Sequence, residues 1–340
     1  MTTLSSFWNG AAHLSGRIDL STAVHQGLCI EKLNDADLAS LGLKAHHIKR
    51  LRHHPPLAKA GPFICIDDGL YPSHLALLPF APPVLFYRGN ISLLKAPSVA
   101  VVGARQCTQR GREMAVRLAK GLVSANLNIC SGLAYGIDES AQMVCPKQSI
   151  GVLGQGFGVP MSRRLEACVR KIIDAGGLIL TEYPPPTPAS KYTFPQRNRI
   201  IAGLSKATIV VEASLRSGSQ ITARHALEQG RDVMAVPGHP NDPMSKGCNA
   251  LIADGAALIQ GPSDALAVLG LPSPNHTSAP LRCSTQKAVL AALKTGETLD
   301  HIAMVTGHPT PELTIAIQAL ELTGHLVRLP GERYRIRETP

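Results

Sequence analysis

The sequence predicts an α/β fold whose centre is a doubly wound, mostly parallel, Rossmann-like sheet. Three observations point to this class: short apolar runs recur after residue 97, helical patterns separate them, and Gly, Ser or charged residues follow nearly every run. Apolar strands that alternate with helices are typical of a parallel sheet covered on both faces. The expected strands are 98–102, 127–130, 149–153, 178–181, 207–212, 232–236 and 257–259.

The chain before these strands contains a helical part and a Pro-rich part. Residues 1–60 hold short helical patterns, one beginning at Asn34 or Asp35 and ended by Gly42, and they predict a small helical, SAM-like module. Residues 84–90 predict a strand that ends in a turn. We therefore assign residues 61–270 to one extended Rossmann-like domain.

The end of the chain predicts a linker and a C-terminal winged helix. Residues 271–284 are polar and Pro-rich, and residues 285–340 show three helical patterns followed by a hairpin pattern. Residues 281–340 hold seven Lys or Arg and six Asp or Glu, so nearly all of the net charge of +10 lies earlier in the chain. Winged helices commonly bind DNA, but this one has almost no net charge and is therefore a poor candidate for a main DNA-binding surface; contact with a protein is an alternative.

The composition is that of a globular protein with a basic excess. The 340 residues are 44% hydrophobic and 17% charged, and a net charge of +10 favours a polyanionic partner. The eight Cys have no CxxC or Cys/His metal spacing, which predicts free thiols in a reducing compartment. The start of the chain lacks the pattern of a signal peptide, and no apolar run is long enough for a membrane span. We expect a cytoplasmic protein without a membrane or metal site.

The loops that follow the strands predict a binding site for an anion. Ligands of such sheets bind at the carboxyl ends of the strands, where this chain carries mostly Gly, Ser and charged residues. Helix starts are also predicted near Asn198 and near Ser217-Gly218-Ser219, and helix N-termini present free N–H groups and a partial positive charge. The sequence therefore predicts a phosphate pocket at this edge of the sheet.

A nucleic-acid strand is the ligand that best fits this pocket. Arg and Lys side chains neutralise phosphates, and an exposed aromatic beside positive charge can stack on an unpaired base, as Phe194 beside Lys191 is expected to do. Phe194 could equally be a core residue before Pro195, and Arg224 could form a surface pair with Glu228. The expected DNA-contacting residues are Gly103, Arg105, Ser131, Gly132, Lys191, Phe194, Arg197, Asn198, Arg199, Ser217, Gly218, Ser219, Thr222 and Arg224.

An enzyme is the alternative interpretation of the same pocket. A nucleotide or nucleoside-phosphate hydrolase could use Glu182 or Glu212 as its acid or base, although pairing of Glu182, Glu212 and Asp138 with Arg is favoured, since a buried Arg needs a partner. The chain has no GxxxxGK[ST] motif, and residues 154–158 only partly match GxGxxG. We therefore expect neither a P-loop enzyme nor a dehydrogenase, and no cofactor.

Five motifs in this order resemble the DNA-processing protein A (DprA/Smf) family. They are VVGAR at 101–105, SGLAYGID at 131–138, FPQRNRIIAGLS at 194–205, SGSQITA at 217–223 and AVPG at 235–238. The resemblance implies a non-catalytic Rossmann-like core that binds single-stranded DNA, forms a homodimer and passes the strand to the recombinase RecA in natural transformation. It also implies that Arg105 and Lys191 contact phosphate, that Phe194 stacks on a base, and that residues 217–219 line the pocket.

The chain departs from the usual family pattern at three positions and in the segment 143–147, which is shorter than usual. Gln142 stands where the family usually has His, Val159 where it has Tyr, and Gln220 where it has Leu. These replacements concern one rim of the expected pocket. The Arg, Lys and Phe residues that the resemblance assigns to DNA are all present.

Overall fold

The computed structural model describes residues 3–272, 284–293, 297–322, 325–329, 331 and 333–336. It divides into two compact units, residues 1–271 and residues 272–340. The predicted linker at 271–284 lies almost wholly outside the described residues. No helix in the described ranges is long and apolar enough to cross a membrane. The predicted boundary at residue 60 stays a prediction.

The first unit contains a nine-stranded sheet. Its strands are Phe63–Cys65 (β1), Val84–Gly89 (β2), Ser98–Val102 (β3), Asn128–Ser131 (β4), Ser149–Val152 (β5), Leu178–Thr181 (β6), Ala207–Val210 (β7), Asp232–Ala235 (β8) and Ala257–Leu258 (β9). Their order is β1-β2-β6-β5-β4-β3-β7-β8-β9. The seven strands from β6 to β9 in that order run parallel, while β2 is antiparallel to β6 and β1 to β2. The predicted doubly wound, mostly parallel sheet is confirmed, and β1 is an addition to it.

Helices cover both faces of this sheet. They are Ser6–His13 (α1), Ser21–His25 (α2), Asp35–Ser40 (α3), Ala45–His53 (α4), Ser73–Ala76 (α5), Gln109–Ser124 (α6), Ile137–Gln142 (α7), Arg163–Asp174 (α8), Thr193–Leu204 (α9), Gly218–Glu228 (α10), Lys246–Ala253 (α11) and Pro262–Val268 (α12). Side chains of a strand alternate between the two faces. Accordingly, Ala100 and Val102 of β3 belong to one apolar cluster, and Val99 and Val101 belong to another. The sheet is therefore buried on both faces, as its continuously apolar strands predict.

The N-terminal helices pack against the sheet unit through a shared core. Trp8 of α1 and Leu51 of α4 belong to the same apolar cluster as Phe86 of β2 and Ile200 of α9. The predicted start of α3 is also present: Asn34 accepts a hydrogen bond from the Asp37 N–H and the Asp37 side chain accepts one from the Asn34 N–H, which is a capping box. The small helical module of the sequence analysis is thus a set of short helices joined to the sheet by apolar contacts.

The second unit has the elements of a winged helix. They are Ser284–Ala292 (α13), Glu297–Thr298 (β10), Leu299–Thr306 (α14), Thr310–Leu322 (α15), Leu326–Leu329 (β11) and Arg333–Ile336 (β12). The three strands form a sheet of order β10-β12-β11. Among the elements described in this unit, β10 alone is not predicted by the sequence patterns. Buried apolar residues of all three helices and the hairpin, among them Val289, Ile302, Ile317 and Tyr334, form its core.

The strand order places a switch point beside β3. From β3 the chain builds β4, β5 and β6 on one side of the sheet and then crosses to build β7, β8 and β9 on the other. In open parallel sheets the crevice at such a switch point, outside the carboxyl ends of the strands, is where ligands bind. The loops that follow β3, β4 and β7 meet there.

Candidate nucleic-acid interface

A cleft of about 450 Å³ opens at this switch point. Its walls come from the loop after β3, from the segment after β4, from α9, and from the loop and helix start after β7. Nine of the fourteen residues expected to contact DNA line it: Gly103, Arg105, Phe194, Arg197, Asn198, Ser217, Gly218, Ser219 and Thr222. Ser214, in the loop after β7, also lines the cleft. Gln106 and Met244 line it too, and the sequence patterns gave no signal for these two.

Arg105 and Phe194 lie together at the mouth of the cleft. The guanidinium carbon of Arg105 is 5.7 Å from the centre of the Phe194 ring, and 39% of Phe194 is exposed. Among the described residues, no carboxylate lies within ion-pair distance of Arg105. One edge of the Phe194 ring packs on Gly154, where an added Cβ would stand 2.9 Å from Cδ1. Phe194 is thus held from one side and open on another.

Arg197 forms the floor of the cleft. Only 5% of Arg197 is exposed, and its guanidinium donates hydrogen bonds to the carbonyl oxygens of Gly132, at 3.0 Å, and Val152. A Cβ at position 132 would collide with this guanidinium, so Gly132 is what leaves room for it. Burial lowers the pKa of Arg197, and the negative charge of Asp138 opposes that shift. Arg197 therefore supplies a fixed positive charge beneath the cleft.

Asp138 connects the two loops that flank this floor. Its carboxylate accepts hydrogen bonds from the backbone N–H of Gly103, at 3.2 Å, and of Gly132, at 3.1 Å. Burial raises the pKa of Asp138, while Arg197 and these hydrogen bonds act in the opposite direction. Asp138 is fully engaged by backbone groups and a neighbouring charge, which is the structural role favoured for it from the sequence.

The start of α10 faces the cleft from the opposite side. Ser217 is its N-cap: Ser217 Oγ lies 2.8 Å from Ser219 Oγ and accepts from the Ser219 N–H at 3.4 Å. Asn198 Nδ2 donates to the Gly218 carbonyl oxygen at 3.3 Å, which ties α9 to α10. A Cβ at Gly218 would meet nothing within 4 Å. The first turn of an 11-residue helix, with its positive dipole end, therefore borders open space in the cleft.

Four of the remaining expected residues lie outside the cleft lining. Ser131 is buried and donates to the Val101 carbonyl oxygen at 2.7 Å, and Gly132 lies behind Arg197. Lys191 is exposed just before α9, with Nζ 5.1 Å from the centre of the Tyr192 ring. Arg224 is exposed on α10, and the carboxylate considered as its partner, Glu228, instead pairs with His225 at 3.1 Å.

Arg199, the fifth of these residues, has a structural partner instead of a place in the cleft. Its guanidinium forms an ion pair with Glu182, and the two side chains are 12% and 0% exposed. Ser15 Oγ donates to the same Glu182 carboxylate, and Gln196 Nε2 donates to the Ser15 carbonyl oxygen at 2.9 Å. Successive residues of a helix point about 100° apart, so Arg197 and Arg199 of α9 face different surroundings. Arg199 and Glu182 thus connect the N-terminal helices to the sheet.

Glu212 occupies the start of α6. Its carboxylate accepts hydrogen bonds from the Thr108 N–H at 2.8 Å and from Thr108 Oγ1 at 2.5 Å. A Cβ at Gly111 would collide with this carboxylate, so the glycine makes its approach to the helix possible. A carboxylate of the chain itself therefore fills the anion position at this helix start.

Gln142 lies behind the loop that follows β4. It is fully buried; Oε1 accepts from the Leu133 N–H at 3.1 Å, and Nε2 donates to the Ile150 carbonyl oxygen at 3.0 Å. Gln142, which stands where the family usually has His, thus stabilises the loop after β4 through two buried hydrogen bonds. No cluster of three or more His, Cys, Asp or Glu suited to a metal occurs among the residues that the structure describes.

Sequence comparison identifies the family. A family model described as "DNA recombination-mediator protein A" matches residues 62–270, and one described as "DprA winged helix domain" matches residues 272–332. The first match alone covers more than half of the chain. The chain belongs to the DprA/Smf family. The resemblance stated from the five motifs is confirmed.

Individual DprA/Smf proteins are similar over most of the chain. The DNA processing protein DprA of Streptococcus pneumoniae is 44% identical over 212 residues, 61% of this chain and 73% of that protein. Protein Smf of Escherichia coli is 36% identical over 287 residues, 80% of this chain and 76% of that protein.

Two solved DprA structures have the same fold. The X-ray structure of S. pneumoniae DprA matches with a TM-score of 0.66 at 36% identity, covering 78% of this chain and 98% of that one. The Helicobacter pylori DprA structure, described as giving insight into a single-stranded DNA binding mode, matches with a TM-score of 0.56 at 27% identity and covers 63% of this chain and 98% of that one.

Proposed function

We propose that this DprA/Smf protein binds single-stranded DNA in the cleft at the switch point, without catalysis. It protects incoming strands and loads RecA onto them during natural transformation or recombination. It acts in the cytoplasm, as a homodimer. The observation that carries the proposal is the pairing of exposed Arg105, which has no carboxylate partner among the described residues, with exposed Phe194 above a floor formed by Arg197.

The groups in the cleft match the two parts of an unpaired nucleotide. Arg105, Arg197 and the first turn of α10 provide positive charge and N–H donors for phosphate, which gives affinity that does not depend on sequence. Phe194 provides an aromatic surface on which any base can stack. Lys191 lies just before α9 and would meet the phosphate that follows. A relative described by its single-stranded DNA binding mode shares the fold, which supports the same ligand here.

The hydrolase alternative finds less support at its two candidate carboxylates. Glu182 is fully buried and paired with Arg199, away from the cleft lining. Glu212 is engaged by Thr108 at the start of α6. Neither carboxylate lines the cleft at the switch point. We therefore retain the binding function and propose no reaction.

The binding proposal is tested by fluorescence anisotropy with a labelled oligonucleotide, single-stranded or in a duplex, at low salt. We expect tighter binding of the single strand and a clear loss of affinity in Arg105→Ala. Lys49→Ala, at an exposed position of α4, is the matched control, because it changes the net charge equally. Equal binding of single strand and duplex, or equal affinity of Arg105→Ala and the wild type, would contradict the proposal.

RecA loading and dimer formation need separate measurements. Loading is measured as the rate of RecA ATP hydrolysis on single strands already covered by single-strand-binding protein, with and without this protein. We expect the wild type to shorten the lag before RecA hydrolyses ATP. The Arg105→Ala variant should leave that lag as long as it is without the protein. Analytical ultracentrifugation of the free protein measures its mass, and a sedimenting species of one chain at every concentration would contradict the homodimer.

A further inference from the structure

Tyr135 is an exposed aromatic residue whose ring contacts two arginines, and sequence motifs did not single it out. It lies in the loop after β4 with 43% of its surface exposed. The guanidinium carbons of Arg112 and Arg164 are 4.8 Å and 4.0 Å from the centre of its ring. Arg112 also donates a hydrogen bond to the Tyr135 hydroxyl at 2.8 Å. Three side chains from α6, α8 and the β4 loop thus form one aromatic and cationic cluster.

This cluster directly adjoins the cleft. Ala134, immediately before Tyr135, lines the cleft. Gly136, immediately after it, packs on the backbone of the Arg105 loop: an added Cβ would stand 2.7 Å from the Arg105 carbonyl oxygen. The Ile137 N–H donates to the Ala104 carbonyl oxygen at 3.3 Å, which fixes the two loops against each other. The loop that carries Tyr135 is therefore fixed against the loop that carries Arg105, next to the cleft.

The loop that carries Tyr135 is well fixed. Leu133 has a φ of +56° and Gly136 a φ of +95°, so two residues in left-handed regions shape the turn. Buried Gln142 accepts from the Leu133 N–H, and Leu133 packs on Gly151. A platform whose position is set before binding loses little conformational freedom when a ligand stacks on it.

The charges around Tyr135 suit a polyanion. Arg164 is held by Glu139, with Arg164 Nη2 2.8 Å from Glu139 Oε2. Arg112 has no carboxylate within 4.0 Å among the described residues; its guanidinium contacts the Tyr135 ring and hydroxyl instead. The charge of Arg112 is thus free to interact with a phosphate of a bound strand. The planar guanidinium of Arg112 and the Tyr135 ring both offer surfaces on which a base can stack.

We propose that Tyr135, with Arg112 and Arg164, is a second base-stacking position that extends the cleft along a single strand. The strand passes from Phe194 and Arg105 over the β4 loop to Tyr135, with a phosphate near Arg112. The inference rests on the proposed binding of single-stranded DNA. It adds that strands long enough to reach Tyr135 gain contacts that shorter strands do not make.

The test compares labelled oligothymidines of about 4, 8, 12 and 16 nucleotides, a range typical of one single-strand binding site. Tyr135→Leu removes the ring and keeps an apolar side chain; Tyr135→Phe keeps the ring. Phe80→Leu is the matched control, since Phe80 is 47% exposed and belongs to neither the cleft nor the cluster. Circular dichroism and thermal unfolding establish that each variant is folded.

We expect Tyr135→Leu to weaken binding of the longer strands by roughly fivefold or more, the loss of one base stack, and to leave the shortest strand within about twofold of the wild type. Tyr135→Phe and Phe80→Leu should bind every strand like the wild type. Tyr135→Trp, which enlarges the stacking surface, should bind long strands at least as tightly as the wild type. Arg112→Gln should weaken the binding of long strands and lower the salt dependence of their affinity.

Two results would overturn the inference and leave the proposed function intact. One is a Tyr135→Leu variant that binds long strands like the wild type while Phe194→Leu does not. The other is an equal loss for short and long strands, which would place Tyr135 in the cleft itself. If the wild type binds none of the strands at low salt, the proposed function fails instead, and the inference fails with it.

Discussion

The guanidinium carbon of Arg105 lies 5.7 Å from the centre of the Phe194 ring, although the two residues are far apart in the chain. Arg105 follows β3, and Phe194 lies in the first turn of α9, on the crossover that leads to β7. The switch point of the sheet is what brings them together. A cation and an exposed aromatic ring thus lie side by side, as the proposed binding of a nucleotide requires.

Removal of the Phe194 ring should weaken binding by a stacking contribution. For Phe194→Leu we expect a loss of roughly 1–3 kcal/mol in the free energy of binding to a single strand of any sequence. Phe194→Tyr, which keeps the ring, should retain most of the affinity. Both are measured by anisotropy at constant salt. A Phe194→Leu variant with unchanged affinity would mean that Phe194 is only the core residue before Pro195.

Gly218 should be important for binding and unimportant for folding. An Ala Cβ at position 218 would meet nothing within 4 Å. Because Ala lowers the conformational entropy of the unfolded chain, Gly218→Ala should raise the free energy of unfolding by about 0.5 kcal/mol. If phosphate approaches the first turn of α10, the same methyl should cost roughly 1–3 kcal/mol of binding, as overpacked contacts do. Gly69→Ala, which also has nothing within 4 Å, is the control. Equal DNA affinity of Gly218→Ala and Gly69→Ala would exclude close approach at Gly218.

The Arg199–Glu182 pair should matter for stability and not for DNA. Both side chains are nearly or fully buried, and removal of one member of a buried ion pair typically costs about 3–5 kcal/mol. We therefore expect Arg199→Met alone to lower the free energy of unfolding in urea strongly. The double variant Glu182→Leu/Arg199→Met leaves no unpaired charge and should recover most of that loss. A stable double variant that no longer binds single strands would return Arg199 to the DNA-contacting set.

The N-terminal helices should become less stable in mild acid. Burial lowers the pKa of His13, and the charges of His54, whose ring is stacked on it at 4.2 Å, and of Arg50 act in the same direction. The pKa of His13 in the folded protein lies below the ordinary value of 6.5. The contribution of neutral His13 to the free energy of unfolding is therefore complete above pH 6.5 and is lost as the pH falls through the folded pKa. Urea unfolding from pH 8 to pH 5 should show a smaller loss of stability in His13→Gln than in the wild type. Identical pH profiles would contradict this role.

The sheet could be predicted from sequence because its strands are buried on both faces. The run at residues 99–102 is continuously apolar, and Ala207–Val210 is apolar except for Thr208. Such runs are typical of parallel strands that are covered on both faces. Strand β1 escaped prediction because it has three residues and pairs only at the antiparallel edge. The two residues of β10 are likewise too few to form a pattern.

The cleft could be predicted only in part. Arg105, Phe194 and residues 217–219 follow strands or begin helices, and the topology brings those positions to one edge. Arg197 and Arg199 look equivalent in sequence, but α9 begins at Thr193, so both lie beyond its first turn and point in different directions. Tyr135 had no periodic signal, and the role proposed for it depends on arginines from two distant helices.

The salt dependence of single-strand binding tests the central claim most directly. Each phosphate neutralised in a single strand contributes about 0.7 to the slope of log affinity against log salt. Arg105→Ala should therefore lower that slope by about 0.7, Phe194→Leu should lower the affinity without changing the slope, and Lys49→Ala should change neither. An unchanged slope in Arg105→Ala, or a slope near zero for the wild type, would contradict a phosphate site at the Arg105–Phe194 cleft.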